Sequence, residues 1–142
     1  MNTAEKNKKL VRRFYDEVMR DGNLAVIDEL IADNYIEHEE FPGLTPNKEG
    51  LKGWVKMTRG AFPDLKMEVE DIIAEGNKVA VIARMKGTHQ GEFLGKKGTG
   101  RKLDLPFVDV ILIKDGKAVE HWGYSDNMKM AEQLQLDLTP VQ

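Results

Sequence analysis

The side chains able to do chemistry in this sequence are few, and one of them stands where a charge is least welcome. Asp109 interrupts the apolar run Val108-Asp109-Val110-Ile111-Leu112, where a carboxylate is costly unless it is paired, hydrogen-bonded or protonated. Two roles are open to it: a buried acid satisfied by Trp122 or a backbone group, or a pocket carboxylate with a raised pKa. Asp126 follows the last alternating stretch, where it can cap a helix, act as a general acid/base at a pocket mouth, or do both. The three histidines are His38, His89 and His121, and none stands at i, i+4 or another metal-ligand spacing. There is no cysteine, so disulfides, thiolate ligands and a cysteine nucleophile are all excluded. No metal and no other cofactor is expected. His38 is expected either to line a cavity or to be a satisfied structural histidine, His89 to order the loop after it, and His121 to lie at an interface or the surface. Gly91 to Lys97 is one residue short of a phosphate loop and has no Ser or Thr after the lysine. Ser125 beside Asp126 makes no Ser-His-Asp arrangement.

The elements that must position these groups follow from hydrophobic period and punctuation. A first helix is predicted from Thr3 to Arg20, capped by Asn2 with Glu5 in capping-box position and striped by Leu10, Val11, Phe14, Tyr15, Val18 and Met19. Asn23 can cap a second helix carrying Val26, Ile27, Leu30 and Ile31. A short extended piece, Tyr35 to His38, precedes a third helix starting at Thr45-Pro46, with a face of Leu51, Trp54, Val55 and Thr58 and a stop at Phe62-Pro63-Asp64. From Leu65 the period becomes two. Gly76-Asn77 separates two strands, Gly91 to Gly100 is a loop, and Asp115-Gly116 joins a strand over Arg101 to Ile113 to another over Lys117 to Ser125. A last helix carries Met128, Ala131 and Leu134. Three helices, an antiparallel meander and one short helix predict a single α+β domain over residues 1–142, with the helices on one face of the sheet.

A two-residue Asp115-Gly116 loop pairs Lys114 with Lys117, and opposed residues share a face. Ile113 then faces Ala118, Ile111 faces Glu120, Asp109 faces Trp122, and Phe107 faces Tyr124. One face carries Leu105, Phe107, Asp109, Ile111, Trp122, Tyr124 and Asp126; the other carries Val108, Val110, Leu112, Val119 and His121. Both are largely apolar, so one is expected to cover the helices or a cavity and the other to meet a second copy of the chain. Asp109 and Asp126 would stand about 13 Å apart by strand rise, suited to two ends of one ligand. Phe107, Trp122 and Tyr124, with Trp54 and Phe93, are the expected substrate-contacting aromatics, and Arg84 is either a snorkelling surface cation or a pocket one.

The formal net charge is −3, which gives no general attraction to nucleic acid or to anionic lipid. The basic cluster Lys6, Lys8, Lys9, Arg12 and Arg13 is expected to be a solvated helix surface. No apolar run is long enough to span a bilayer, and no signal segment is expected behind Met1. A cytoplasmic protein with a small-molecule ligand, acting as a homodimer away from membranes and nucleic acid, is the expectation.

Several strings together resemble the SnoaL-like polyketide cyclase family, within the nuclear-transport-factor-two and ketosteroid-isomerase superfamily. They are Phe62-Pro63-Asp64-Leu65, Val69 to Gly76, Gly87 to Gly95, Thr99-Gly100-Arg101, Asp115-Gly116-Lys117 and Glu120-His121-Trp122. The resemblance implies a cone-shaped, curved antiparallel (mixed) sheet with three N-terminal helices on its concave face, an apolar cavity, and frequent homodimers. It implies an Asp after the last strand as general acid/base for an intramolecular aldol closure, with neither metal nor cofactor, and Asp126 falls at that position. Asp109 stands where the antibiotic cyclase has a pocket histidine, and His38 matches a recurrent histidine of the family.

Three functions fit these features. The first is a cofactor-independent cyclase or isomerase for a small apolar carbonyl compound, with Asp126 as base and a protonated Asp109 or His38 donating to the enolate. The second is a non-catalytic module that binds a hydrophobic small molecule. The third is an epoxide-hydrolase-like enzyme, which requires Arg84 to reach the pocket.

Overall fold

A computed structural model describes residues 2–137. Asn2 caps the first helix as expected, its Oδ1 accepting the Glu5 N–H at 2.9 Å to start α1 (Thr3–Arg13). The helix does not stay α-helical to Arg20; it widens into a π-helical segment, Phe14–Arg20, which buries Tyr15, Val18 and Met19. Such segments recur at functional sites because they re-aim side chains, and Tyr15 departs from this one. The second helix, α2 (Ala25–Leu30), starts after Leu24 without a side-chain cap, rather than at Asn23. The third, α3 (Lys48–Ala61), is capped by Asn47. Thr45 is displaced from that role because its hydroxyl donates to Asn47 Oδ1 at 2.7 Å, which in turn accepts the Gly50 N–H. In α4 (Asn127–Leu134) the buried residues are Met130 and Leu134; Met128 is 83% exposed, so the expected apolar face is rotated.

The five strands are β1 (Ile31–Glu37), β2 (Lys66–Glu75), β3 (Lys78–Thr88), β4 (Lys102–Lys114) and β5 (Lys117–Ser125). They form one curved, unclosed sheet in the order β1-β5-β4-β3-β2. The meander is antiparallel, and β1 adds a parallel edge beside β5. The expected short piece at Tyr35 is thus the end of a longer strand, masked in the sequence by the weak strand formers Asp33 and Asn34. The helices cover the inner face, where Val79, Val81, Ala83 and Met85 of β3 meet Leu103, Leu105, Phe107 and Ile111 of β4, all buried. Each large apolar side chain sequestered there contributes about 1.5–3 kcal/mol. His89 orders the following loop as expected: its backbone pairs with Arg101 and Gly100, and its Nδ1 bonds Thr99 Oγ1 at 3.1 Å. Among the described residues no helix is long and apolar enough to cross a membrane.

The β4–β5 pairing departs from expectation. Asp115 and Gly116 both have positive φ, and Lys114↔Lys117 and Ile113↔Ala118 pair as expected. The next pair is Leu112↔Glu120, which leaves Val119 as an extra residue in a β-bulge. From there every partner moves by one: Asp109 faces Gly123, Val108 faces Tyr124, and Val110 faces Trp122. A one-residue slip reverses the faces of a strand, so His121, Gly123 and Ser125 share the inner face with Asp109. Trp122 and Tyr124 turn to the outer face with Ile73, Ile82 and Val108. Without the bulge Glu120 would point inward against Ile111. With it, Glu120 lies outside and bonds His38 Nε2 at 2.7 Å.

Candidate active site

The bulge and the parallel edge together assemble a largely buried polar chain. Glu37 and His121 are direct partners across β1 and β5, and Asp109 lies diagonally across from His121 because its own partner is Gly123. His121 therefore bonds Asp109 Oδ1 through Nε2 at 2.7 Å and Glu37 Oε2 through Nδ1. Asp109 Oδ2 accepts the Tyr15 hydroxyl from the π-helical segment. Glu37 Oε1 accepts the Tyr35 hydroxyl at 2.6 Å, and its Oε2 also accepts the Glu39 N–H at 3.1 Å.

The charges follow from this geometry. Burial alone would lower the His121 pKa, but hydrogen bonds to Asp109 and Glu37, with their charges, raise it to about 10. His121 is an imidazolium donating to two carboxylates. Burial, reinforced by Asp109, pushes the Tyr15 phenol well above its ordinary value. Burial, then Glu37, does the same to Tyr35. Both phenols keep their protons.

Glu39 is the next inward residue past the end of β1. Its carboxylate accepts no hydrogen bond among the described residues. Burial first, then the charge on Asp109, raises its pKa to about 7. Ligand-type atoms of Glu39, Asp109 and His121 lie within 4.8 Å of one another, so these are the residues that could hold a metal. Both imidazole nitrogens already serve carboxylates, however, so a metal would have to displace the imidazolium proton and one of those bonds.

This network forms one polar wall of a cavity of about 380 Å³, a size that takes a small organic ligand. Phe14, Trp54, Met67, Phe93 and Phe107 are among the apolar lining residues. Of the residues singled out from sequence, Asp109, Trp54, Phe93 and Phe107 line the cavity; Asp126, His38, Trp122, Tyr124 and Arg84 do not. Asp126 is exposed and caps α4, its Oδ1 accepting the Lys129 N–H at 3.1 Å. His38 lies outside because the strand turns Glu37 inward, and it stacks on Trp122 at 4.8 Å between ring centroids. The bulge carries Trp122 and Tyr124 to the outer face, where Tyr124 is 67% exposed. Arg84 bridges Glu70 and Asp104 on that same face, at 2.9 and 3.0 Å, which removes the pocket cation needed for epoxide hydrolysis. Sequence reasoning missed Tyr15, Tyr35, Glu37 and Glu39 as site groups and put His121 on the wrong face. The available signal was Gly123, since a glycine inside a strand marks a bulge or a close approach.

Residues 9–134 match the family model of SnoaL-like polyketide cyclase. IdmH from Streptomyces antibioticus, described as a candidate polyketide cyclase, is 33% identical with a TM-score of 0.77, over 91% of this chain and 98% of that one. A candidate polyketide cyclase from Bacillus cereus ATCC 10987 is 28% identical with a TM-score of 0.79, over 92% of this chain and 81% of that one. TsrD from Streptomyces laurentii, 22% identical with a TM-score of 0.86 over 96% of this chain and 100% of that one, shares the fold. A comparison with curated proteins finds no match.

Proposed function

Because the chain belongs to the SnoaL-like polyketide cyclase family, whose members support a cyclase or isomerase role, we propose that it removes a proton beside a carbonyl of a neutral, largely apolar compound held in the cavity. Glu39 is the base. It takes the α-proton and the C–H electron pair passes into the enolate. In a cyclisation the enolate carbon then attacks a second carbonyl of the same molecule. The alkoxide so formed takes the proton back from Glu39, and no cofactor is consumed. In an isomerisation the proton returns to another carbon. The observation carrying this proposal is Glu39 itself, an unbonded carboxylate on the cavity wall with its pKa raised to about 7, near the optimum for proton transfer at neutral pH. The His121 imidazolium, whose two N–H groups are held by Asp109 and Glu37, offsets part of the negative charge around Glu39 and tempers the rise of its pKa. Glu37, Glu39, Glu40 and Asp109 line the cavity, and no Lys or Arg does so among the described residues. Free acids and phosphorylated compounds are therefore disfavoured, and a neutral ketone or ester is preferred.

The test needs no knowledge of the natural product. Exchange of the α-protons of a neutral aromatic β-keto ester is followed in D2O by NMR. Protein-dependent exchange should rise with pH through about 7 as Glu39 ionises. Saturable binding with no exchange above buffer at any pH would instead favour a binding module.

The outer face supports a homodimer. Ile73, Ile82, Val108 and Tyr124 stand 52%, 41%, 38% and 67% exposed there, an apolar patch of the kind a second copy covers. Sedimentation should show a dimer at micromolar concentration and a monomer for Ile82→Lys/Val108→Lys. A monomeric parent protein would remove the dimer from the proposal.

A further inference from the structure

Gly123 has no conformational reason to be glycine. It lies inside β5 and is absent from the residues with positive φ, so any L-residue could adopt its backbone. The constraint is spatial. A Cβ built there would stand 2.2 Å from Glu39 Oε1, 2.7 Å from Glu39 Cδ and 2.9 Å from His121 Cε1. Gly123 is also the residue directly opposite Asp109 in the ladder, in the middle of the polar wall. Glu39 lies beyond the last residue of β1, in the irregular segment before α3. Its carboxylate thus occupies the place that a side chain of residue 123 would take.

Resting on the assignment of Glu39 as base, we propose that Gly123 is a positioning residue: its missing side chain is the seat of the Glu39 carboxylate, and the site accepts one carboxylate there, delivered from either position. Two consequences follow. Any side chain at position 123 evicts Glu39 toward the cavity mouth, even one as small as a methyl group. Conversely, an acid placed at position 123 can serve the same cavity when Glu39 is removed, because it begins within 3 Å of the vacated carboxylate.

Exchange of the neutral β-keto ester is measured for four variants, with circular dichroism and thermal unfolding confirming that each folds. Gly123→Ala should lose exchange to the level of Glu39→Gln while keeping a cooperative unfolding transition. Glu39→Ala/Gly123→Asp should recover at least about tenfold over Glu39→Ala, a rescue that repair of packing alone cannot produce. If Gly123→Ala keeps the parent rate while Glu39→Gln loses it, Gly123 does not position the base and the inference is overturned. A folded double variant no faster than Glu39→Ala overturns the shared seat. Should Glu39→Gln itself retain full exchange, the assignment of Glu39 is what fails, and the two failures are distinct. If Gly123→Ala does not fold, the double variant, in which no Glu39 carboxylate meets the new Cβ, carries the test against Glu39→Ala.

Discussion

Glu39→Gln is expected to lower protein-dependent α-proton exchange by about 10²- to 10⁴-fold, the usual contribution of a positioned general base, with no loss of stability. The second half of that expectation separates a catalytic role from a structural one. A carboxylate that accepted hydrogen bonds in the fold would cost stability on removal. Glu39 accepts none among the described residues, and burial and Asp109 hold its pKa at about 7. Folding therefore works against its ionised form. The raised pKa means that the folded state binds more protons than the unfolded one between about pH 4.5 and 7, so stability falls as pH rises across that window. An isosteric amide removes this cost. Glu39→Gln should unfold at the same temperature as the parent protein or higher at pH 8, and its stability should lose the decline between pH 4.5 and 7. A variant that keeps its exchange rate, or that unfolds several degrees lower, would refute the role of Glu39 as a functional carboxylate held at the expense of stability.

The parts of this molecule visible in the sequence are those fixed by local rules. Helix stripes, the Asn2 cap, the Asp115-Gly116 turn and the bounds of β5 rest on period, capping and turn chemistry within a few residues. Family strings carry the curved sheet with its helices. The site depends on two long-range features without a local signature. One is the extra residue at Val119, which decides whether His121 or Trp122 looks inward; both Val119 and its neighbours are acceptable strand residues in either register. The other is the parallel docking of β1, which brings Glu37 beside His121 from 84 residues away and turns His38 out. Asp109 was legible because its cost is intrinsic: a carboxylate among Val108, Val110 and Ile111 requires partners wherever the neighbouring strands fall. Its partners were not legible, and Trp122, one of the two expected alternatives, is on the other side of the sheet. Asp126 illustrates the converse. Its position after the last strand is equally good for a cap and for a base, and the cap is what its geometry supports.

His121→Leu is expected to cost about 3–5 kcal/mol, the range for removing one partner of a buried ion pair, and so to lower the unfolding temperature by roughly 10–15 °C. The size of the effect comes from what is left behind. His121 donates to both Asp109 and Glu37, whose side chains are only 16% and 13% exposed. Leucine fills the volume but leaves two carboxylates facing one another across it. The same network sets a pH dependence of definite sign. The His121 pKa is raised from 6.5 to about 10, so the folded state holds the proton more tightly. Its stabilisation is complete below about pH 6.5 and is lost as pH climbs toward 10. Thermal unfolding of the parent protein should therefore weaken steadily from pH 6.5 to 10, and His121→Leu should lack that slope. Neutralising the stranded acids supplies the control. Adding Asp109→Asn and Glu37→Gln to His121→Leu should restore part of the lost stability, because an uncharged site of similar shape avoids the desolvation that the lone carboxylates suffer. If the triple variant is less stable than His121→Leu alone, the two acids are held by something other than the imidazolium, and the charge-paired wall of the cavity is wrongly assigned.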